Sequence, residues 1–92
     1  MPISASFILY KAAKLVDGDR NDAHGRKQDN FQNISMLWSA YLGMDLSPKD
    51  VANMMVLLKV ARTKTGRFNE DDYIDMAGYA GCGAELHAET TV

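Results

Sequence analysis

The sequence predicts an all-α fold, a compact bundle of about four helices that is completed by oligomerisation. Apolar residues recur at helical spacing in four segments of the chain. Two of those segments begin with a helix-start signal, a capping side chain followed by acids. The 92 residues, 47% of them apolar and 24% charged, have the composition of a globular protein and suffice for one small core. Residues 1–92 are therefore interpreted as a single helical domain.

The first helix is predicted over about residues 6–16, where apolar side chains lie one helical turn apart. These side chains are Phe7, Ile8, Ala12, Leu15 and Val16. A long polar segment follows over about residues 17–29, with two glycines, alternating charges and no large apolar residue. This composition is typical of a loop or of an ordered turn that holds a ligand.

The second helix is predicted to begin near Asp29 or Asn30 and to end at Gly43, since glycine commonly terminates helices. Its apolar stripe is broad and contains Phe31, Ile34, Leu37, Trp38, Tyr41 and Leu42. A stripe of this kind is expected to face the core.

The third helix has the clearest start, because Ser47 can cap it, Pro48 suits its first position and Asp50 can accept from free backbone amides. One face is predicted to carry Val51, Met54, Met55, Leu58 and Ala61, widened by Val56, Leu57 and Val60. The breadth of this stripe predicts that the third helix is central.

The fourth helix is predicted to start after Asn69, where three acids precede a new apolar segment. That segment contains Tyr73, Ile74, Met76, Ala77 and Tyr79. The final residues, 87–92, have little apolar content and are expected to fray. Because so short a chain cannot cover every apolar face of four helices, a homo-oligomer is expected.

The formal net charge of −2 and the sequence pI near 5.5 argue against bulk nucleic acid or an anionic membrane as the main partner. The N-terminus lacks a cationic start followed by an apolar run, and no apolar run approaches about 20 residues. A cytoplasmic location is therefore expected. The single cysteine, Cys82, lies among small residues and is interpreted as a packing residue.

Four cations follow one another around the end of the third helix, and they are the candidate ligand-binding residues: Lys59, Arg62, Lys64 and Arg67. Lys59 and Arg62 are three residues apart and therefore share a helix face. Cations near a helix C-terminus are also favoured by the helix dipole alone, which is the purely structural alternative. The functional interpretation is a grip on the phosphates of a nucleotide or another phosphorylated small molecule.

Asp72 and Asp75 are the candidate metal ligands, because two carboxylates three residues apart on a helix can hold Mg²⁺ together with water and phosphate oxygens. A basic face beside an acidic face matches a magnesium nucleotide. Acids in a first helical turn also serve simply as caps.

His24 and Asp75 are the candidate catalytic bases for a phosphate-transfer or hydrolytic reaction. His24 lies in the polar segment next to a glycine, where it suits a general base, a phosphate ligand or a plain surface residue. The sequence contains no serine–histidine–acid pattern, no paired cysteine–histidine metal pattern and no glycine-rich phosphate loop, so covalent catalysis is unsupported.

The pattern "HGRKQDNFQNISMLWSAYLG", followed by "SPKDVANMMVLLKVARTKTGRFNEDDYIDMAGYAGC", resembles a family of uncharacterised small proteins of tailed phages and prophages. The resemblance covers nearly the whole chain. Its recurring elements are His24 with Gly25, Asn30 with Phe31, Trp38 with Tyr41, Lys59 with Arg62, and the "DDYIDMAGYA" helix. This resemblance implies a phage protein in the cytoplasm of the host cell, and it implies no activity.

The paired lysine and arginine, the glycine-containing turn, the acid-led helix and its tyrosine are also similar to a segment of small phage proteins of nucleotide metabolism, including a T7-type nucleotide kinase. The acid-led helix resembles the second half of MazG-like nucleotide pyrophosphohydrolases. Those enzymes carry a Glu-x-x-Glu motif on the preceding helix, where this chain has only Asp50 and Asn53.

Two classes of function follow. The first is a phage-encoded nucleotide- or phosphate-ligand-binding protein, either a MazG-like Mg-dependent nucleotide pyrophosphohydrolase or another accessory of nucleotide metabolism. The alternative is a non-catalytic phage protein that sequesters a nucleotide signal, or that binds and inhibits a host defence protein through anchors such as Trp38 and Tyr41. The sequence leaves open whether the protein is an enzyme.

Overall fold

A computed structural model of the chain describes residues 3–18 and 26–90. These residues form four helices, which we number in chain order: α1 (Ala5–Asp17), α2 (Lys27–Leu42), α3 (Pro48–Thr63) and α4 (Glu70–Thr90). No strand occurs in the described ranges. The all-α fold with four helices is therefore confirmed.

A local hydrogen bond caps the start of α1, and another caps the end of α2. The N–H of Phe7 donates to the Ser4 side chain at 3.1 Å, which caps the start of α1. At the end of α2, Gly43 has φ +69°, and its N–H donates to the Ser39 carbonyl at 2.9 Å. The predicted stop at Gly43 is confirmed, because this left-handed conformation is one that a residue with a Cβ adopts only with strain.

The start of α3 is a reciprocal cap. The N–H of Asp50 donates to the Ser47 hydroxyl at 3.2 Å, and the N–H of Ser47 donates to the Asp50 carboxylate at 2.9 Å. At the start of α4, the N–H of Asp71 donates to the Asn69 side chain at 3.0 Å. Both helix-start signals recognised in the sequence are confirmed.

Two helix ends lie farther out than the sequence predicts. Helix α2 begins at Lys27, two residues before the expected start, and α4 continues to Thr90 through a segment that was expected to fray. These two ends contact each other: the Lys27 ammonium lies 3.2 Å from the Glu85 carboxylate, and the Gln28 amide donates to the same carboxylate at 3.1 Å. The mutual contact gives both polar ends a partner that hydrophobic periodicity does not reveal.

The fold is organised around α3 and α4, which run antiparallel. Lys59 near the end of α3 pairs with Asp75 near the start of α4, while Ala52 at the start of α3 lies beside Gly83 towards the end of α4. A Cβ on Gly83 would lie 3.4 Å from the Ala52 Cβ, so glycine permits a close approach of the two helices here. Helix α1 packs on α4, and α2 packs on α3.

The hydrophobic core is small and lies between α2, α3 and α4. Its buried members are Phe31, Val51, Ala52, Cys82 and Leu86, with Val16, Ile34, Trp38 and Tyr79 packed around them. Phe31 and Tyr79 meet edge to face, with ring centroids 6.3 Å apart. The burial of Cys82 agrees with its interpretation as a packing residue.

The apolar face of α3 predicted from the sequence is only partly the face that is buried. Val51 and Ala52 are fully buried, whereas Met54, Leu58 and Ala61, which were predicted to face the core with Val51, are exposed. The prediction was wrong because α3 is apolar on more than one side, so periodicity alone does not identify the side that α4 covers. None of the four helices is both long enough and apolar enough to cross a bilayer.

Candidate functional site

The centre of the candidate site is an ion pair between α3 and α4. The Lys59 Nζ lies 2.9 Å from the Asp75 Oδ2, and the two side chains are only 13% and 22% exposed. Lys59, a predicted phosphate-binding cation, is therefore paired with Asp75, the predicted metal ligand or base. An ion pair this far from solvent is screened less than a surface pair, so its geometry is held by attraction as well as by packing.

Asp72 lies one helical turn before Asp75 and on the same side of α4. It is the third residue of α4, its N–H donates to the Asn69 carbonyl at 3.1 Å, and only 8% of the residue is exposed. A carboxylate near the start of a helix is favoured by the positive end of the helix dipole. That interaction stabilises Asp72, although most of its surface is withdrawn from water.

The other three candidate cations lie on the surface around the turn between α3 and α4. Arg62 is in the last turn of α3, Lys64 follows the helix, and Arg67 comes directly after Gly66, which has φ +78°. None of the three forms an ion pair with a carboxylate in the described ranges. They remain accessible to an anion that approaches from solvent.

The carboxylates that the structure describes near the ion pair do not form a three-ligand metal site. No group of three or more His, Cys, Asp or Glu side chains in residues 3–18 and 26–90 is arranged to hold a metal ion. Asp75 already has the Lys59 ammonium beside it. Any Mg²⁺ bound by Asp72 and Asp75 would therefore compete with a built-in cation.

Asp50 and Asn53 lie near the opposite end of α3 from this ion pair. Asp50 and Lys59 are nine residues apart on one helix, which is about 13 Å along its axis. The Asp50 carboxylate also accepts from the Ser47 backbone, and this hydrogen bond, together with the Ser47 side chain, lowers the pKa of Asp50. The described structure therefore brings Lys59 and Asp75 together and leaves Asp50 in a helix cap.

His24 lies outside the described residues, as does most of the polar segment predicted over residues 17–29. Its role as a base or phosphate ligand stays a prediction.

An apolar groove of about 610 Å³ was not anticipated from the sequence. It lies where the start of α1 meets the turn before α4, and its apolar lining is formed by Ile3, Ile8, Leu9, Phe68 and Tyr73. Phe68 and Tyr73 stack on each other with centroids 6.1 Å apart. Tyr73 and Asp75 are two residues apart on α4 and therefore point to roughly opposite sides, which separates the groove from the ion pair. Only the isolated apolar Phe68 within the polar turn could have indicated this groove.

Comparison with known proteins gives a family match. The model of a family described as "Domain of unknown function (DUF6378)" matches residues 7–87. The Gene 55 protein of Mycobacterium phage D29 is 44% identical over 82 residues, which are 89% of this chain and 54% of that protein. The Gene 55 protein of Mycobacterium phage L5 is 41% identical over 75 residues, which are 80% of this chain and 48% of that protein.

The chain thus spans about half the length of the curated relatives it matches. No solved structure matches it. The relatives confirm the resemblance to phage proteins and do not bear on the resemblance to MazG-like pyrophosphohydrolases.

Proposed function

This chain belongs to the DUF6378 family, and from that premise we propose that it is a phage protein that binds a nucleotide or another phosphorylated small molecule in the host cytoplasm. The residues proposed to bind the phosphates are Lys59 and Arg62, assisted by Lys64 and Arg67. The supporting residues are Asp72 and Asp75.

The observation that carries this proposal is that several charged side chains are largely buried while large apolar side chains are exposed, the reverse of the usual distribution. Lys59, Asp72 and Asp75 are among the least exposed charged residues, while large apolar residues such as Tyr41 and Leu57 are 89% and 65% exposed. Withdrawing charges from water costs free energy, and a helical hairpin does not need such charges at its packed face. Departures of this kind from ordinary packing rules concentrate at functional sites.

The proposed contacts follow from the positions of the cations. Lys59 is held by Asp75 at the interface of α3 and α4, so its ammonium is oriented before a ligand arrives. Arg62 is one turn further along α3, and its guanidinium can donate two parallel hydrogen bonds to one phosphate. Arg67 and Lys64 extend the positive surface around the turn.

The proposal extends to the binding of Mg²⁺ and to hydrolysis of the bound ligand. Asp72 and Asp75 are the carboxylates that would hold Mg²⁺, with phosphate oxygens and water as the remaining ligands. A MazG-like hydrolysis would in addition need a base, for which Asp75 and His24 are the candidates. Binding alone requires neither the metal nor the base.

A second candidate function is non-catalytic: the protein sequesters a nucleotide signal, or it binds and inhibits a host protein. The exposed apolar side chains favour the protein-binding form. Tyr41 and Leu37 are strongly exposed on α2, and aromatic residues are frequent anchors of protein interfaces. Trp38 is partly buried against the core and is therefore less available as an anchor than the sequence alone allowed.

The testing experiment is a thermal-shift screen of the purified chain with nucleotides, cyclic dinucleotides and nucleotide sugars, with and without Mg²⁺, followed by chromatography of each ligand that stabilises the fold. A ligand at 100 times its dissociation constant stabilises a protein by about 2.7 kcal/mol, which such a screen detects readily. Consumption of the ligand would identify an enzyme, whereas recovery of the intact ligand would identify a binding or sequestering protein.

Three variants locate the binding site. Arg62→Gln removes an exposed cation without an ion-pair partner in the described structure, so it tests binding with little effect on folding. The double variant Lys59→Gln/Asp75→Asn removes the ion pair while leaving no unpaired charge. Lys11→Gln is the matched control, because Lys11 is an exposed lysine on α1. Loss of binding in the first two variants and not in the control is expected; equal binding in all three would exclude this site.

A further inference from the structure

Helix α3 is apolar on two sides, and only one of them is covered. Val51 and Ala52 are buried against the rest of the fold. A second row consists of Met54, Leu57, Leu58 and Ala61, which are all exposed. We call these four residues the outer face of α3. An apolar face of a helix is normally packed against another element, and the outer face is exposed, so it lacks a cover in the isolated chain.

The spacing of the outer face is that of a helix-packing seam. Each of its residues has neighbours three and four positions away, as in Met54 with Leu57 and Leu58, so the four form a continuous stripe along about two turns of α3. The stripe itself contains no charged residue. The small side chain of Ala61 at one end and the long side chain of Met54 at the other give it an uneven profile that another helix can fit.

We propose that a second copy of this chain covers the outer face of α3, in a two-fold symmetric dimer whose α3 helices pack antiparallel to each other. A two-fold interface requires one patch that is complementary to itself, and an uncharged stripe along a single helix meets that requirement. This inference goes beyond ligand binding and does not depend on it.

The charges at the two ends of α3 favour the antiparallel arrangement. Around its start, Asp45, Lys49 and Asp50 sum to −1; at its end, Arg62 and Lys64 sum to +2. Antiparallel packing places the negative end of each helix beside the positive end of the other, and it also opposes the two helix dipoles. Parallel packing would bring the two positive ends together.

The test is the molar mass of the whole chain in solution, measured by sedimentation velocity from about 1 to about 200 µM, a range that covers dimers with micromolar dissociation constants. The wild-type chain is expected to approach twice its mass of 10.2 kDa as the concentration rises. Leu57→Glu, which places a charge in the centre of the outer face, is expected to raise the dissociation constant at least tenfold.

Leu9→Glu is the matched control, because Leu9 is 60% exposed and Leu57 is 65% exposed, and Leu9 lies on α1. Circular dichroism of both variants establishes that the helices are retained, and Leu57→Gln provides a milder second variant. A wild-type chain that stays monomeric over the whole range would overturn the proposal. A dimer that survives Leu57→Glu and Leu57→Gln would equally overturn it, and dissociation of that dimer by Leu9→Glu would assign the interface to α1 instead.

Discussion

The Lys59 ammonium and the Asp75 carboxylate join α3 to α4 through a 2.9 Å contact that is largely withdrawn from solvent. From the sequence alone, if the acids are merely caps, Asp75→Asn should have little functional effect, because Asp75 lies beyond the first helical turn. The ion pair changes that expectation, because removal of either partner leaves the other charge partly buried and unpaired.

Asp75→Asn is therefore expected to lower the free energy of unfolding by about 1–2 kcal/mol, since it leaves the Lys59 ammonium without its counter-charge. Chemical denaturation with urea measures this change. The double variant Lys59→Gln/Asp75→Asn should recover part of the loss. If the single and the double variant are both as stable as the wild type, the Lys59–Asp75 ion pair contributes nothing to the free energy of unfolding.

The capping box of α3 predicts a pH dependence of stability. The Ser47 backbone N–H stabilises the ionised Asp50, which lowers the pKa of Asp50 in the folded state. A lowered pKa means that the folded state gains stability above the unfolded value, about pH 4, and loses it as the pH falls through the folded value. Denaturation of wild type and Asp50→Asn at pH 6 and pH 3 should show a smaller loss on acidification for the variant.

Two glycines should respond in opposite directions to alanine. Gly81 lies within α4, and a Cβ there would meet no other atom within 4 Å, so Gly81→Ala should stabilise the fold by about 0.5–1 kcal/mol. Gly43 ends α2 at φ +69°, so Gly43→Ala should destabilise it by about 1 kcal/mol. Melting temperatures that move in the same direction for both variants would contradict this assignment.

Two leucines test where the core ends. Leu86 is 5% exposed and belongs to the core, so Leu86→Ala should cost about 2–4 kcal/mol through lost burial and a residual cavity. Leu37 is 63% exposed on α2, so Leu37→Ala should change stability by less than about 0.5 kcal/mol. Urea unfolding of both variants measures the contrast, and a large cost at Leu37 would show that α2 packs against more than the described core.

Local chemistry made three of the helix termini predictable: the end of α2 and the starts of α3 and α4. Ser47, Asn69 and Gly43 act through hydrogen bonds or dihedral angles within a few residues, so a single sequence contains all the information that their roles require. Contacts between distant segments were less predictable. The extension of α2 back to Lys27 depends partly on Glu85, which lies at the other end of the chain.

In the candidate site, too, relations within one helix were predictable from the sequence, and contacts between helices were not. Helical spacing correctly grouped Lys59 with Arg62 and Asp72 with Asp75, because each pair lies on one helix. It did not show that Lys59 and Asp75 are paired with each other, since that depends on how α3 and α4 face each other. The groove beside Phe68 depends on the docking of α1, which no local pattern encodes.

The placement of α1 also has a consequence for the order of folding. Its packing partner is α4, which lies on the far side of α2 and α3 in the chain, whereas α3 and α4 are joined only by residues 64–69. Closing the short connection costs less chain entropy than closing the long one, so the α3–α4 hairpin is expected to form first and α1 to dock later. In native-state hydrogen exchange, the amides of α1 should therefore exchange through a local opening that leaves α3 and α4 protected.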